Sequence, residues 1–292
     1  MTIRNLMKIL LAALLAAMLL AACAEEDSPS SATGGNDSAE GEDAPDEPSC
    51  DLANPPLVDE GVLTVATDRP AYPPWFEGKP KNYSGFEGEL ATQIAERMNL
   101  PIEWVVEPFN KSYAPGAKEY DFDINQVSIT PEREQAVDFS DGYFNDNQGV
   151  LALEGSSIDG ATSLADLKDA RLGAQVGTTS LTFIEDVIQP NSAVKVYDTT
   201  NDVKSALESG QLDALVTDVV TTVYLRDFEI DKTVVVGQYP TEEPFGMIFE
   251  EGNLLRLCVN QVLDEMKDDG TLEALQDEWL QDYLGVPTLS DQ

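Results

Sequence analysis

The chain has 292 residues, with 54 Asp plus Glu against 17 Lys plus Arg, no histidine and a formal net charge of −37. That balance argues against a nucleic-acid backbone as partner, since such binding needs clustered Lys and Arg, and the lack of histidine excludes imidazole-based triads and His-containing zinc sites. Three dispersed cysteines cannot form a thiolate metal site and no glycine-rich phosphate loop with a Lys-Ser/Thr ending occurs, so neither a metal nor a cofactor is expected.

The N-terminus carries Arg4 and Lys8, an apolar run from Ile9 to Leu20, then Ala21 and Ala22 before Cys23. Charged, apolar and small-residue regions in that order read as a secretory signal over residues 1–22, too short and alanine-rich for a membrane span. Leu20-Ala21-Ala22-Cys23 resembles a bacterial lipobox. It implies cleavage before Cys23, lipidation of that cysteine and an extracytoplasmic chain anchored to the outer face of the cell membrane. Residues 23–49 have no large apolar and no basic side chain. They cannot bury enough surface to offset their ordering entropy and read as a disordered acidic tether spanning roughly 30 Å root-mean-square. With Cys23 assigned to lipid, Cys50 and Cys258 remain, and outside the cytoplasm a disulfide between them is expected. The acidic excess itself reads as an adaptation to salty surroundings.

GVLTVAT (Gly61–Thr67) is short and rich in β-branched residues, as a strand is. GFEGELATQIAERMNL (Gly85–Leu100) places Leu90, Ile94 and Met98 four apart, the spacing of an amphipathic helix, and IEWVVE follows as a second strand. Strand, helix, strand predicts a parallel sheet. The rhythm repeats: VLAL (Val150–Leu153), ARLGAQV (Ala170–Val176), AVKVY (Ala193–Tyr197) and LDALVTD (Leu212–Asp218) read as strands, SLTFIEDVI (Ser180–Ile188) and TNDVKSALESG (Thr200–Gly210) as helices. Asn253–Leu284 is helical throughout, broken at Gly270. The reading is α/β, with helices packed on the parallel sheets of two lobes.

NQVSITPEREQAVDFSDGYF (Asn125–Phe144) sets Ser128, Thr130 and Arg133 within six residues. Pro131 suits a first helical position and Thr130 an N-cap. Backbone N–H groups at such a turn, hydroxyls and a guanidinium fork together suit a carboxylate. Gly177-Thr178-Thr179-Ser180, opening a helix near Leu181, is a second place of this kind. Each taken alone also reads as ordinary helix capping.

The order of these segments resembles the family 3 extracellular solute-binding proteins, polar amino-acid receptors of ABC importers. LTVATDRPAYPPW, GFEGELATQIAERMNL, SITPEREQAVDFSDGYF, LGAQVGTTS, SALESGQLDALVTD, EPFGMIF and DGTLEALQDEWL occur in the family's order between Gly61 and Gly285. The resemblance implies a type II periplasmic-binding-protein-like fold, two parallel-sheet lobes joined by a two-strand hinge. Lobe one would hold residues 50–148 plus 246–292 and lobe two 149–245, with crossings near Gln148–Leu153 and Phe245–Phe249. The Cys50–Cys258 bridge would then lie within lobe one.

It implies a monomeric, non-catalytic receptor that closes on an amino acid and delivers it to an ABC transporter permease. Carried over, Arg133 grips the ligand α-carboxylate, helped by the backbone N–H groups of Ser128 and Thr179 beside Thr178. Asp218, the Ser128 hydroxyl and the Gln126 carbonyl take the α-ammonium. Asp68, Tyr72, Trp75 and Phe109 face the ligand side chain, with Gln175 and Thr217 from lobe two. Asp68 suits a cationic or amide group. Three departures stand out. DRPAYPPW is one residue longer than usual before Tyr72, PFNKSYAPGAKEYDFD lacks the usual amphipathic helix, and Gln126 replaces a small residue. Two alternatives stay open at this level: a cyclohexadienyl or arogenate dehydratase-like enzyme on the same fold, with Asp68 or Glu107 as acid, and a receptor for a modified zwitterion such as ectoine or a betaine.

Overall fold

A computed structural model describes residues 49–292. The expected signal, the Cys23 lipid site and all but the last residue of the expected tether lie outside the described residues. In chain order the elements are β1 (Leu63–Thr67), β2 (Glu77–Lys79), β3 (Asn82–Ser84), α1 (Phe86–Arg97), β4 (Ile102–Val106), α2 (Phe109–Ser112), β5 (Phe122–Asp123), β6 (Asp138–Phe139) and β7 (Phe144–Leu153). Then come β8 (Leu172–Gln175), α3 (Thr179–Thr182), β9 (Lys195–Tyr197), α4 (Thr200–Glu208), β10 (Ala214–Asp218), α5 (Val219–Tyr224), β11 (Thr233–Phe245), β12 (Ile248–Phe249), α6 (Leu255–Asp268) and α7 (Thr271–Trp279).

Two five-stranded sheets result, in the orders β4-β1-β5-β12-β6 and β11-β7-β10-β8-β9. All five residues of β1 are buried, as expected of an interior strand covered on both faces. α1 covers it with Phe86, Leu90, Ala91, Ile94 and Ala95, a stripe at helical spacing. α6 adds Cys258, Val259, Val262, Leu263 and Met266 to the same core. The second sheet carries one core on each face, one around Phe183 and Ile184, the other around Leu207 and Leu215.

The sheets are mixed rather than parallel. β1 is parallel to β4 and β5, and β8 to β9 and β10, as βαβ units require. However, β12 runs antiparallel to β5 and β6, and β7 antiparallel to β10 and β11. The chain leaves the first sheet along β7 and returns along β11; two neighbouring segments that leave and return must run in opposite directions.

Phe144 and Phe245 pack in the first core, whereas Val150, Ala152 and Val236 pack in the second. The paired ends of β7 and β11, with Asp146 opposite Glu243 and Phe144 opposite Phe245, therefore bridge the lobes. The first crossing thus begins before Gln148, and the second lies ahead of Phe245 rather than over Phe245–Phe249, because Ile248 and Phe249 already belong to the first sheet as β12. Gly149, in β7, has no room for a Cβ, which would stand 2.5 Å from Thr222 Oγ1. Its lack of a side chain lets α5 lie against the crossing.

The tail also departs from the expected boundary. α6 and α7 pack in lobe one, but Leu289 is buried in the second core, and Thr288 and Ser290 form bridges with Gln238 and Ser163. Gly237 makes the slot: a Cβ there would come within 2.8 Å of Leu289. Ser180–Ile188, expected as one helix, is α3 followed by π-helical turns at Phe183–Ile188. Cys50 and Cys258 are bridged, with Cα atoms 4.8 Å apart, and both sulfurs belong to lobe one.

Candidate functional site

Arg133 starts a 3-10 turn, Arg133–Gln135, that is entered through Thr130. The Thr130 hydroxyl accepts from Arg133 N at 3.3 Å and its carbonyl from Glu134 N at 3.0 Å, the capping its residue type suggested. The arginine is 7% exposed. Its guanidinium stacks 4.7 Å from the Tyr113 ring centroid and 5.6 Å from that of Phe109. Nη1 donates to Ser128 O at 2.7 Å and Nη2 to Gly177 O, on the other lobe, at 2.9 Å. Burial draws the guanidinium below its ordinary value, opposed by Tyr113 and Glu243; it remains a cation.

Facing it, Asp218 ends β10 and caps α5. Its Oδ1 accepts from Thr221 N at 2.7 Å and its Oδ2 from Thr217 Oγ1 at 3.2 Å. Thr178 caps α3, accepting from Leu181 N at 3.1 Å, and so aims the first N–H groups of that helix at the cleft. Further bonds draw the lobes together: Ser128 Oγ to Thr179 Oγ1 at 3.2 Å, Tyr113 Oη to Gly177 O at 3.3 Å and Tyr72 Oη to Asn201 Oδ1 at 2.7 Å.

Ten of the expected residues, Asp68, Tyr72, Phe109, Gln126, Ser128, Arg133, Thr178, Thr179, Thr217 and Asp218, line this one cleft. Trp75 and Gln175 do not. Trp75 is fully buried, edge-on to Phe86, Phe144 and Phe245 with centroids 5.9, 5.6 and 5.8 Å away, and its Nε1 donates to Thr221 Oγ1 at 3.1 Å. It is a core residue at the lobe junction, where a large apolar ring gains most from burial. Gln175 spends its Oε1 on Thr200 N and Oγ1, at 2.8 and 2.7 Å, and holds the start of α4. Tyr72 packs against a second-lobe cluster and bridges to Asn201. α2 is one turn long, so Phe109 and Tyr113 stand edge to face beside Arg133.

Gln126 has φ +51 and turns its side chain under the floor, where its Nε2 and backbone N both donate to Glu87. Tyr143 Oη donates to the same carboxyl. Burial pushes Glu87 up to about 7 against the pull of these donors.

Among the lining residues not anticipated from sequence are Asp146, Gln148 in a side-chain role, and Glu243. Asp146 and Gln148 sit two apart on β7 and so share its cleft face. Glu243 follows a register break between Tyr239 and Glu243 in which Glu242 has φ +51. Burial, then the Asp218 charge, holds the Asp146 carboxyl well above the carboxylate range, and burial also raises Asp218. Among the described residues no group of three or more Cys, Asp or Glu side chains is arranged to hold a metal ion.

The L-cystine-binding protein TcyJ of Escherichia coli (strain K12) is 30% identical over 236 residues, 76% of this chain and 87% of that protein. An ancestral arginine-binding protein bound to arginine superposes with a TM-score of 0.66 at 32% identity, covering 76% of this chain and 99% of its own. The ancestral amino acid-binding protein AncCDT-1, a precursor of cyclohexadienyl dehydratase, superposes at 0.66 with 30% identity, over 76% of this chain and 96% of its own. The model of the bacterial extracellular solute-binding proteins, family 3, matches residues 63–282, most of the chain. With the two-lobed fold and the cleft between the lobes, this settles membership: the chain belongs to the bacterial extracellular solute-binding proteins, family 3.

Proposed function

We propose that the protein is the extracytoplasmic receptor of an ABC importer and that its cleft closes on an amino acid with a cationic side chain. The observation that carries the reading is Arg133, held on one lobe opposite Asp218 on the other within one cleft. A guanidinium has five N–H donors; two go to Ser128 O and Gly177 O, leaving three for a ligand carboxylate, with the backbone N–H groups of Ser128 and Thr179 beside them. Asp218 takes the α-ammonium, with the Ser128 hydroxyl and the Gln126 carbonyl. A zwitterion leaving water needs both charges paired, since an unpaired buried charge costs several kcal/mol. Because the partners come from different lobes, binding shifts the population toward the closed form.

The finer choice rests on charge. Asp68, Asp146, Asp218 and Glu243 line a cleft whose lining residues include one cation, Arg133. A distal ammonium or guanidinium on Asp68 offsets part of that excess; a second carboxylate adds to it. Tyr72 and Phe109 flank the ligand stem, and Thr178 and Thr217 complete the lobe-two wall. Cys23 lipidation and the acidic tether keep the monomeric receptor beside its permease.

Thermal unfolding of the mature chain, refolded to strip ligand, is the test, against the twenty amino acids plus ornithine, citrulline, ectoine and glycine betaine. A ligand at 100 times its Kd adds about 2.7 kcal/mol. Shifts confined to arginine, lysine or ornithine are expected. Shifts only with glutamate or glycine betaine refute the reading, and turnover of prephenate or arogenate replaces it with an enzyme.

A further inference from the structure

The floor of the cleft on the hinge side has a hydrogen-bond direction. Ser128 Oγ lies 3.0 Å from Glu243 Oε2, and because a carboxylate only accepts, the single Ser128 hydroxyl proton is spent there. In the 3.2 Å contact between Ser128 Oγ and Thr179 Oγ1, Thr179 must then be the donor. Thr179 Oγ1 in turn accepts from Gln148 Nε2 at 3.3 Å, and the same Nε2 reaches Glu243 Oε2 at 3.5 Å. Every proton in this chain points toward Glu243.

What this chain and its neighbour Asp146 leave without a partner is acceptors. Ser128 Oγ keeps a lone pair. Gln148 Oε1 and Asp146 Oδ2 belong to residues 4% and 3% exposed, and both atoms lack a hydrogen-bond donor. Buried acceptors without donors are costly, and a group with several N–H donors relieves them. A water could serve one of them; a primary ammonium brings three donors and the positive charge the surrounding carboxylates call for.

We propose that Glu243 is a positioning residue that, as the end of the Gln148–Thr179–Ser128 donor chain, makes the cleft accept a primary ammonium and discriminate against N-substituted amines. The inference rests on the amino-acid reading above and adds a residue and a selection rule to it.

The test uses L-arginine, Nα-methyl-L-arginine and L-arginine methyl ester as probes, titrated by calorimetry into the wild type, Glu243→Gln and Glu243→Leu. All three proteins are first checked for equal ligand-free melting. In the wild type, Nα-methylation weakens binding by at least tenfold. Glu243→Gln keeps most of that ratio, because an amide oxygen can still end the chain. Glu243→Leu frees the Ser128 proton, and the ratio falls to within about threefold. An unchanged ratio in Glu243→Leu overturns the proposal, as does parallel weakening of both arginine probes. Failure of the wild type with L-arginine, L-lysine and L-ornithine alike, or equal binding of the methyl ester, sinks the amino-acid reading itself.

Discussion

Glu87 offers the most quantitative check on the electrostatics beneath the cleft. Its carboxyl is fully buried, accepts from Tyr143 Oη and from Gln126 N and Nε2, and is raised from 4.5 to about 7, chiefly by burial. A carboxyl raised in the folded state holds its proton more tightly there than when unfolded. The stability it contributes is therefore full below pH 4.5 and is lost as pH rises through about 7. At about 1.4 kcal/mol per pH unit, that window costs about 3 kcal/mol. Glu87→Gln keeps the shape and an acceptor oxygen and cannot ionise, so it should unfold like the wild type at pH 5 and be about 3 kcal/mol more stable at pH 8. Urea unfolding at both pH values measures the difference, and the comparison removes slopes that both proteins share, such as that of Asp146. A stability difference that is the same at pH 5 and pH 8 would refute the argument.

Arg133→Ala should abolish amino-acid binding while leaving a cooperative unfolding transition lowered by about 3–6 kcal/mol, the cost of losing two charge-assisted bonds and the stacking on Tyr113; calorimetry and urea melts separate the two effects. The Cys50–Cys258 bridge closes a sequence separation of 208, so its reduction should cost up to about 5 kcal/mol on the chain-entropy account. Because it lies within lobe one, ligand Kd with and without reductant should agree; a large change would mean that the bridge constrains closure. Tyr72→Phe removes an interlobe bond worth about 1 kcal/mol, and small-angle scattering should report about a fivefold shift toward the open form. The net charge of −37 predicts that folding cooperativity falls at low ionic strength; urea melts unchanged between about 0.02 and 1 M salt would count against that self-repulsion.

Most of the framework was legible in sequence because it rests on local periodicity. The stripe of α1 and the buried run of β1 are patterns that a single segment displays by itself. The direction of β7 relative to its neighbours is not such a pattern. Val150–Leu153 reads as a strand whichever way it pairs, and only the return of the chain through β11 makes the pairing antiparallel. Leu289 is similar: one leucine after Pro287 carries no period, and its place depends on a slot left by Gly237, 52 residues earlier.

In the site the same division holds between residues whose role is set locally and those set by register. Arg133, Thr178 and Asp218 stand at turns or helix starts, where residue type and neighbouring capping groups already limit what the side chain does. Trp75 misled because an aromatic loop residue serves a core as readily as a cleft; the rings of Phe144 and Phe245, from two distant strands, decide the matter. Glu243 opens the recognisable stretch EPFGMIF, yet that stretch does not show which residue of β7 it faces. Between Tyr239 and Glu243 β11 spans four residues against two on β7, so it gains two residues that its partner does not match, and only this extra pair brings Glu243 opposite Asp146. The carboxylate that directs the donor chain is therefore placed by a local irregularity of the hinge, and that irregularity is visible only once the two crossing segments are seen side by side.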